Sequence, residues 1–537
     1  MKTIESVVCA VDDLAEGQMK QFCVGSRPVL LVRKASGEFC SIAAHCSHSG
    51  APLANGVLSE DHVICPWHNA CFNVCTGQQQ EPPGLNDLAS FETWVQDGQV
   101  HVRVPESLPQ HMPPAMTPYA PSADLRTFVI LGAGAAGSAA AEQLRQSGFA
   151  GKIQMITAED RLPYSRTALS KTYLQEGQVD GPPPMRSPKF YEENGIEVLT
   201  SKFAQKVDPD ARQIQFSDGT QLHYDQLLIA TGGKARQLAV KGTDLGGIYK
   251  LRSAEDAHQI LDHIRCKTRA VVIGSSFIGM EAASSLKQRG LEVTVISPDR
   301  VPLQRVLGAE VGQVFRKLHE ANGVQFCFGE KAAAFSGDGE VEAVELKSGK
   351  RLETDLVVVG IGVEPATEFL PDALRNEDQS VSVSDRFQLR DRLYAVGDIA
   401  QFPSAQTGES VRIEHWRLAM QQGRVAARNM AGERDEYTGV PFFWTGQFDL
   451  KLRYVGHSEN WDEVVIEGDL EGREFLAFYL EGDRVAAVAG CGRDRDIAAI
   501  SELMRQGRML EASEVRTEVS WVELLASDVR EREAVAP

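Results

Sequence analysis

The chain has 537 residues, a formal net charge of −19, 43% hydrophobic and 24% charged residues, the proportions of an ordinary soluble globular protein. Its length calls for three or four domains with their own cores, and its acidity disfavours nucleic acid and anionic membrane surfaces as partners. No run approaches the roughly eighteen apolar residues of a membrane-spanning helix.

The first residues, "MKTIESVVCAVDDLAEG", have no apolar core of signal-peptide length, and no lipidation box or twin-arginine signal follows. Ten cysteines in so long a chain do not read as a disulfide scaffold. A reducing cytoplasm is the expected location.

Residues 1–105 alternate short apolar and polar runs, such as "RPVLLVRK" and "QVHVRVP", and predict an all-β domain. Inside it stand two hooks, Cys46-Ser47-His48 and Cys65-Pro66-Trp67-His68. Each offers one thiolate and one imidazole. Two Cys and two His serve a Rieske [2Fe–2S] cluster, with both sulfurs on one iron and both imidazoles on the other. They also satisfy a structural zinc ion, but zinc fingers group like ligands, Cys with Cys and His with His. The mixed hooks favour the cluster, with Cys46, His48, Cys65 and His68 as ligands. Cys71 and Cys75, close behind, are read as buried thiols.

The stretch 106–123, rich in proline between Pro105 and Pro121, predicts an extended, semi-rigid tether. After it, "TFVILGAGAAGSAAAEQLRQSG" is a strand, a turn and a helix, with Gly132, Gly134 and Gly137 in G-x-G-x-x-G spacing. Such glycines permit the tight turn, the approach of backbone to a pyrophosphate and the packing of helix on strand. The helix N-terminus then faces the phosphates. Glu159, ending the next strand, is placed to bond a ribose hydroxyl.

A second unit, "AVVIGSSFIGMEAASSLKQRGLEVTVIS", repeats the pattern as Gly274, Ser276 and Gly279. The position where an acid would bond the adenosine ribose of NAD holds Ser297, and Arg300 and Arg305 follow. A carboxylate there would repel a 2′-phosphate; with serine, both NADH and NADPH stay open, NADH being the preferred reading. The predicted fold is multidomain: an all-β Rieske domain (1–105), two Rossmann-like α/β dinucleotide-binding domains (124–240 with 365–432, and 241–364) and a C-terminal α+β domain (433–537).

Several strings carry a family resemblance. "HCSHSGAPLANG" and "CPWHNACF" resemble the cluster loops of soluble Rieske ferredoxins; Ala51 and Trp67 stand where respiratory Rieske proteins carry a further cysteine pair. "LYAVGDIA", with Gly397 and Asp398, resembles the second FAD motif of two-dinucleotide-binding flavoproteins, and "LLIATGGKAR", with Thr231, Gly232 and Arg236, their connecting motif. "PYSRTALSK" is similar to the Pro-Tyr-Asp-Arg-Pro-x-Leu-Ser-Lys signature of oxygenase-coupled ferredoxin reductases and apoptosis-inducing factor-like proteins, from which Ser165 and Thr167 depart. It contains no cysteine, which excludes the dithiol relay of the related disulfide reductases.

The chain as a whole resembles the Rieske-bearing apoptosis-inducing factor 3-like group. That resemblance implies an NAD(P)H-dependent reductase with FAD, a [2Fe–2S] cluster and NADH or NADPH, passing electrons to an acceptor protein such as an oxygenase. It places Arg166 and Lys171 at the flavin, Lys171 paired with Glu281, and Glu414, His415, Trp416 and the Trp444 of "PFFWTGQFD" close by. Lys171, Glu281 and Trp416 are the expected catalytic residues. The alternative is a redox-sensing interaction protein with slow NAD(P)H oxidase activity; a monomer or a homodimer suits either.

Overall fold

The computed structural model describes residues 2–177 and 181–527. The C-terminal residues 529–537, expected from their sequence to fray, lie outside the described residues.

The N-terminal unit is built on a six-stranded antiparallel sheet in the order Thr3–Ala10, Gln99–Pro105, Ser90–Gln96, Phe39–Ala43, Arg27–Arg33, Gln18–Val24. Alternate residues of Gln99–Pro105 are buried, the period of a strand with one face on a core. A smaller four-stranded sheet, Val57–Ser59, His62–Ile64, Cys71–Asn73 and Gln79–Glu81, carries the second hook between its middle strands. Cys71 is a buried free thiol. Cys75 is not: it is disulfide-bonded to Cys40, with Cα atoms 4.9 Å apart. The pairing joins the cluster-bearing hairpin to the large sheet, a contact made by tertiary packing rather than sequence spacing.

Two parallel sheets follow. The first runs Ile196–Leu199, Lys152–Ile156, Thr127–Leu131, Gln226–Ile229, Leu393–Ala395, closed by the antiparallel Gln388–Arg390. The second runs Ile248–Lys250, Leu356–Val359, Arg269–Ile273, Glu292–Ser297, Gln325–Phe328. Strands such as Phe128–Leu131 and Leu356–Val359 are buried throughout, as expected of sheets covered on both faces. The last unit is an antiparallel sheet ordered Phe442–Gln447, Leu450–Gly456, Arg484–Cys491, Glu474–Glu481, Glu463–Asp469, packed with the helix Asp494–Arg505.

The proline-rich segment is extended, but it is clamped at both ends. His111–Met112 pairs with Asp87–Leu88, and a His111 ring nitrogen bonds the His45 carbonyl at 3.1 Å. Further on, the Thr117 and Ala120 amides donate to the carbonyls of Arg145 and Ala150 at 3.0 and 2.9 Å. The residues between the prolines keep their N–H groups, and these tie the strap down.

The N-terminal unit is also docked against the rest of the chain. Val57, Ile64 and Cys71 share one buried cluster with Phe442, Leu503 and the fully buried Trp521. Several arginines cross the joint, Arg495 among them, with its Nε on the Gly56 carbonyl at 3.1 Å. Arg417 donates to the carbonyls of Pro82 and Asn69 at 2.9 and 3.0 Å. Arg453 donates to the Trp67 carbonyl while paired with Asp494 at 2.6 Å. Arg186, paired with the buried Glu142, reaches Leu85 and Asn86. Arg417→Met should orphan two buried carbonyls at a cost of about 2 kcal/mol. Hydrogen exchange in residues 65–84 is expected to accelerate; unchanged exchange there would show that Arg417 does not hold the joint.

No helix among the described residues is long and apolar enough to cross a membrane.

Candidate redox site

The two hooks converge. The Nδ1 atoms of His48 and His68 lie 3.1 Å apart, and the thiols of Cys46 and Cys65 are in hydrogen-bond contact. Backbone amides of His48 and Ser49 donate to the Cys46 sulfur, and those of Trp67 and His68 to the Cys65 sulfur. Amide donors favour the thiolate form that ligates metal. Burial pushes the His48 imidazole down to about 4. Burial does the same to His68, helped by His48 and the cations Arg453, Lys451 and Lys171, bringing it to about 2. Both rings are therefore neutral at pH 7. Two sulfurs on one side and two neutral imidazole Nδ1 atoms on the other are the donor set of a [2Fe–2S] Rieske cluster, and the residues fit it.

The first dinucleotide turn fits a pyrophosphate. Gly132 has φ +114°, and a Cβ there would lie 2.2 Å from the Ala230 carbonyl oxygen, so no other residue fits. Gly134 caps the helix Ala135–Gln146, and a Cβ built on it meets nothing within 4 Å, which leaves open space above the helix N-terminus. Gly137 packs directly on the Gly132 carbonyl. Glu159 accepts from the Tyr164 hydroxyl at 2.6 Å and from Arg166. Across the site Asp398 is held by Arg252 at 2.7 Å, and Gly232, at φ +67°, leaves the Asp398 carboxylate close by. The Thr231 hydroxyl bonds the Ala366 carbonyl, and the Gly397 amide donates to Gln422. Arg236 is turned outward, exposed, with its Nε on the Val363 carbonyl.

The second turn repeats this geometry at Gly274, whose Cβ would meet the Gly360 carbonyl at 2.1 Å; Gly279 packs on the Gly274 carbonyl. Ser276 is exposed at the N-cap of the helix Phe277–Gln288. Ser297 is fully buried, its hydroxyl 2.6 Å from that of Ser275. The carboxylate at the end of this strand is instead Asp299, two residues on, held 3.4 Å from the exposed Arg305; Arg300 is exposed beside it.

Between the two turns lies a buried ion pair. Lys171 sits in a wide turn, Leu169–Tyr173, with non-helical φ −119° and ψ −113°. Its ammonium meets the buried Glu281 at 2.7 Å. Glu281 also accepts from the hydroxyls of Ser170 at 2.5 Å and Thr445 at 2.7 Å. Three donors thus surround the carboxylate, the hydrogen bonding that a buried ion pair requires. Ser170 and Thr445 stand in the strings "PYSRTALSK" and "PFFWTGQFD", but that they bond Glu281 was not legible, since each hydroxyl is more than a hundred residues from it.

Trp444 and Thr445 are consecutive residues of the strand Phe442–Gln447, so their side chains point to opposite faces. Thr445 bonds Glu281, as above. The Trp444 ring lies 4.4 Å from the His68 ring and 6.0 Å from that of His48. One peptide unit therefore joins the Lys171–Glu281 pair to the cluster histidines. His415 stacks on Phe443 at 4.4 Å, and burial pushes its imidazole down to about 4. Burial and the charge of Asp398 push the Glu414 carboxyl up, against the pull of Arg412, its partner at 2.6 Å. Trp416 opens the helix Trp416–Ala431 and packs half-buried on the core beneath the first turn.

Comparison with known proteins agrees with this arrangement. Family models match for a Rieske [2Fe-2S] domain over residues 5–92, a pyridine nucleotide-disulphide oxidoreductase over 126–423 and a reductase C-terminal domain over 442–521. The chain is 38% identical over 524 residues to apoptosis-inducing factor 3 of Homo sapiens, covering 95% of this chain and 86% of the relative. It is 34% identical to putidaredoxin reductase CamA of Pseudomonas putida, covering 67% of this chain and 87% of that one. Among solved structures, the covalent putidaredoxin reductase–putidaredoxin complex superposes with a TM-score of 0.71 at 31% identity, covering 75% of this chain and 98% of that one. With cluster donors, two dinucleotide turns and this likeness together, the chain belongs to the pyridine nucleotide-disulphide oxidoreductase family, on the branch that carries its own Rieske domain.

Proposed function

We propose that this protein is an NAD(P)H-dependent flavoprotein reductase that sends electrons through FAD to the Rieske cluster on the same chain, and from there to an acceptor protein. The observation that carries the reading is the Trp444–Thr445 junction between the Glu281–Lys171 pair and His68. When bound, FAD supplies the exchange between a two-electron hydride donor and a one-electron cluster, chemistry that belongs to the cofactors.

The chain's own part is placement and charge. The two glycine turns and their helix N-termini hold the pyrophosphates, Glu159 the ribose of FAD and Asp398 its ribityl chain. Lys171 sets a fixed cation beside the isoalloxazine, where it stabilises negative charge gained on reduction. Glu281, held by Ser170 and Thr445, fixes the position of Lys171. Trp416 and His415 close the flavin pocket and exclude water. Cys46, Cys65, His48 and His68 hold the cluster. The relatives include putidaredoxin reductase and a ferredoxin reductase component of chlorobenzene dioxygenase, which supports a one-electron carrier or oxygenase component as the acceptor.

Replacing FAD by its 5-deaza analogue, which accepts hydride but does not pass on single electrons, tests the order of carriers. The exchanged protein is expected to oxidise NAD(P)H stoichiometrically and leave the Rieske EPR signal absent. A cluster that is reduced all the same would overturn the scheme.

Nucleotide choice falls to Asp299 in this reading, since the Ser297 hydroxyl is already bonded to Ser275. A carboxylate at the ribose accepts from the 2′-hydroxyl and repels a 2′-phosphate. NADH is the expected substrate, and Asp299→Asn should lower the NADH-over-NADPH ratio of kcat/KM by roughly tenfold, the worth of one charged hydrogen bond. An unchanged ratio would remove Asp299 from the site.

A further inference from the structure

The helix Gln304–Ala321 carries a fully buried histidine, His319. Its ring is held edge-on by Phe448 at 4.9 Å and Phe326 at 6.2 Å. Burial pushes the imidazole down to about 4, against the pull of Gln447, so the ring is neutral at pH 7. Nε2 lies 2.8 Å from the Gln447 side-chain oxygen, whereas Nδ1 meets no hydrogen-bond partner among the described residues.

The contact is the start of a row. The Gln447 side-chain amide donates to the Thr445 hydroxyl at 3.2 Å, and that hydroxyl lies 2.7 Å from Glu281 Oε1. Thr445 and Gln447 are two residues apart on one strand and so share a face. His319, Gln447, Thr445 and Glu281 are each at most 3% exposed, so bulk water does not stand in for a lost partner.

The chemistry of the groups sets the direction of the row. A carboxylate only accepts, so the Thr445 proton points at Glu281. The Thr445 oxygen then accepts, which turns the Gln447 NH2 toward it and the Gln447 oxygen toward His319. That oxygen in turn calls for a proton on His319 Nε2. Three donors in series face the same way, and hydrogen bonds so aligned strengthen one another. Gln447 does not titrate, so the row carries orientation rather than protons. Its far end is Glu281 Oε1, to which Thr445 alone donates among the described residues; Ser170 and Lys171 share Oε2.

Resting on the placement of Lys171 beside the flavin proposed above, we infer that His319 and Gln447 are positioning residues for flavin reduction by NAD(P)H. His319 fixes Gln447, Gln447 fixes the Thr445 hydroxyl, and Thr445 fixes Glu281 and with it the Lys171 ammonium. Both residues act through Glu281.

Two replacements of His319 in the full-length holoprotein separate this role from packing. His319→Leu removes ring and donor together; His319→Gln removes the ring but keeps an N–H for the Gln447 oxygen. The limiting rate of flavin bleaching by NAD(P)H, followed by anaerobic stopped-flow, is expected to fall roughly tenfold in His319→Leu. That is short of the roughly 10²-fold cost of an ångström-scale displacement, because Ser170 still holds Glu281. His319→Gln should stay near the parent rate, and the dissociation constant for the nucleotide should hold in both. Equal slowing in the two variants would mean that the ring serves packing alone. Gln447→Leu should match His319→Leu, and the double variant should be no slower than either, as for residues in one network. Additive losses would contradict a single row.

The proton itself is read without turnover, from nitrogen spectra of histidine-labelled protein, the His319 signals being those lost in His319→Gln. Nε2 should carry the proton and Nδ1 should be bare. A proton on Nδ1 alone would reverse the row and overturn the inference, however the variants fold. Lys171→Met is run alongside. A parent rate in Lys171→Met would refute the placement of Lys171 at the flavin. Slowing in Lys171→Met with none in His319→Leu would refute the positioning row and leave that placement standing.

Discussion

Trp444→Ala should leave reduction of the flavin by NAD(P)H at its parent rate and slow the subsequent reduction of the cluster. A loss of roughly tenfold to 10²-fold is expected, since reacting groups displaced by about an ångström lose rate on that scale. The indole fills the space between the Phe442–Gln447 strand and the His48 and His68 rings, and an alanine would leave a void there or admit water. Trp444→Phe keeps an apolar ring in the same place and should recover most of the rate. Stopped-flow traces that follow flavin absorbance and cluster absorbance separately make the comparison. Equal slowing of both phases would mean that Trp444 supports the flavin pocket instead of joining it to the cluster.

Lys171→Met is expected to have the larger effect on the chemical step. Glu281 is 3% exposed and its counter-charge is Lys171. Removing one member of a buried pair leaves an uncompensated charge, at about 3–5 kcal/mol. The donors Ser170 and Thr445 remain, so the lower end of that range is the expected loss of stability. Reduction of the flavin by NAD(P)H should slow by roughly 10²-fold, the usual effect of deleting one preorganised electrostatic group. The double variant Lys171→Met/Glu281→Leu removes both charges. It should regain stability without regaining rate, which separates the folding role of the pair from its role at the flavin. Recovery of the rate in the double variant would show that the single variant had merely misfolded the pocket.

Much of the cofactor equipment was legible because its signals are local. A glycine turn needs a strand before it and a helix after it, all within some thirty residues, and both turns stand where the pattern puts them. The Cys46–His48 and Cys65–His68 hooks are local in the same sense, and their donors meet as the cluster requires. What sequence could not give is set by packing between distant segments. The Cys40–Cys75 bond depends on which strands lie side by side in the first domain. Thr445 reaches Glu281 across 164 positions, and Arg417 reaches Asn69 across 348.

Ser297 illustrates a different limit. The position was identifiable from the end of its strand, but the direction of so short a side chain was not, and it bonds inward to Ser275. The strap between domains shows a related limit. Proline content predicts stiffness and extension, and both are present, but it says nothing of the amides between the prolines that fasten Thr117 and Ala120 to the flavoprotein. Docking of the Rieske unit was out of reach altogether, since the apolar faces of Val57 and Ile64 look like any other core until Trp521 is placed against them.

The central claim is that nicotinamide, flavin and cluster form one path inside a single rigid chain. Anaerobic mixing with NAD(P)H over a wide range of protein concentration, with flavin absorbance and the Rieske EPR signal followed in time, tests it most directly. Flavin bleaching should come first, and the rate constant for cluster reduction should be independent of protein concentration. A cluster rate that rises in proportion to concentration, or a cluster reduced before the flavin, would contradict the account.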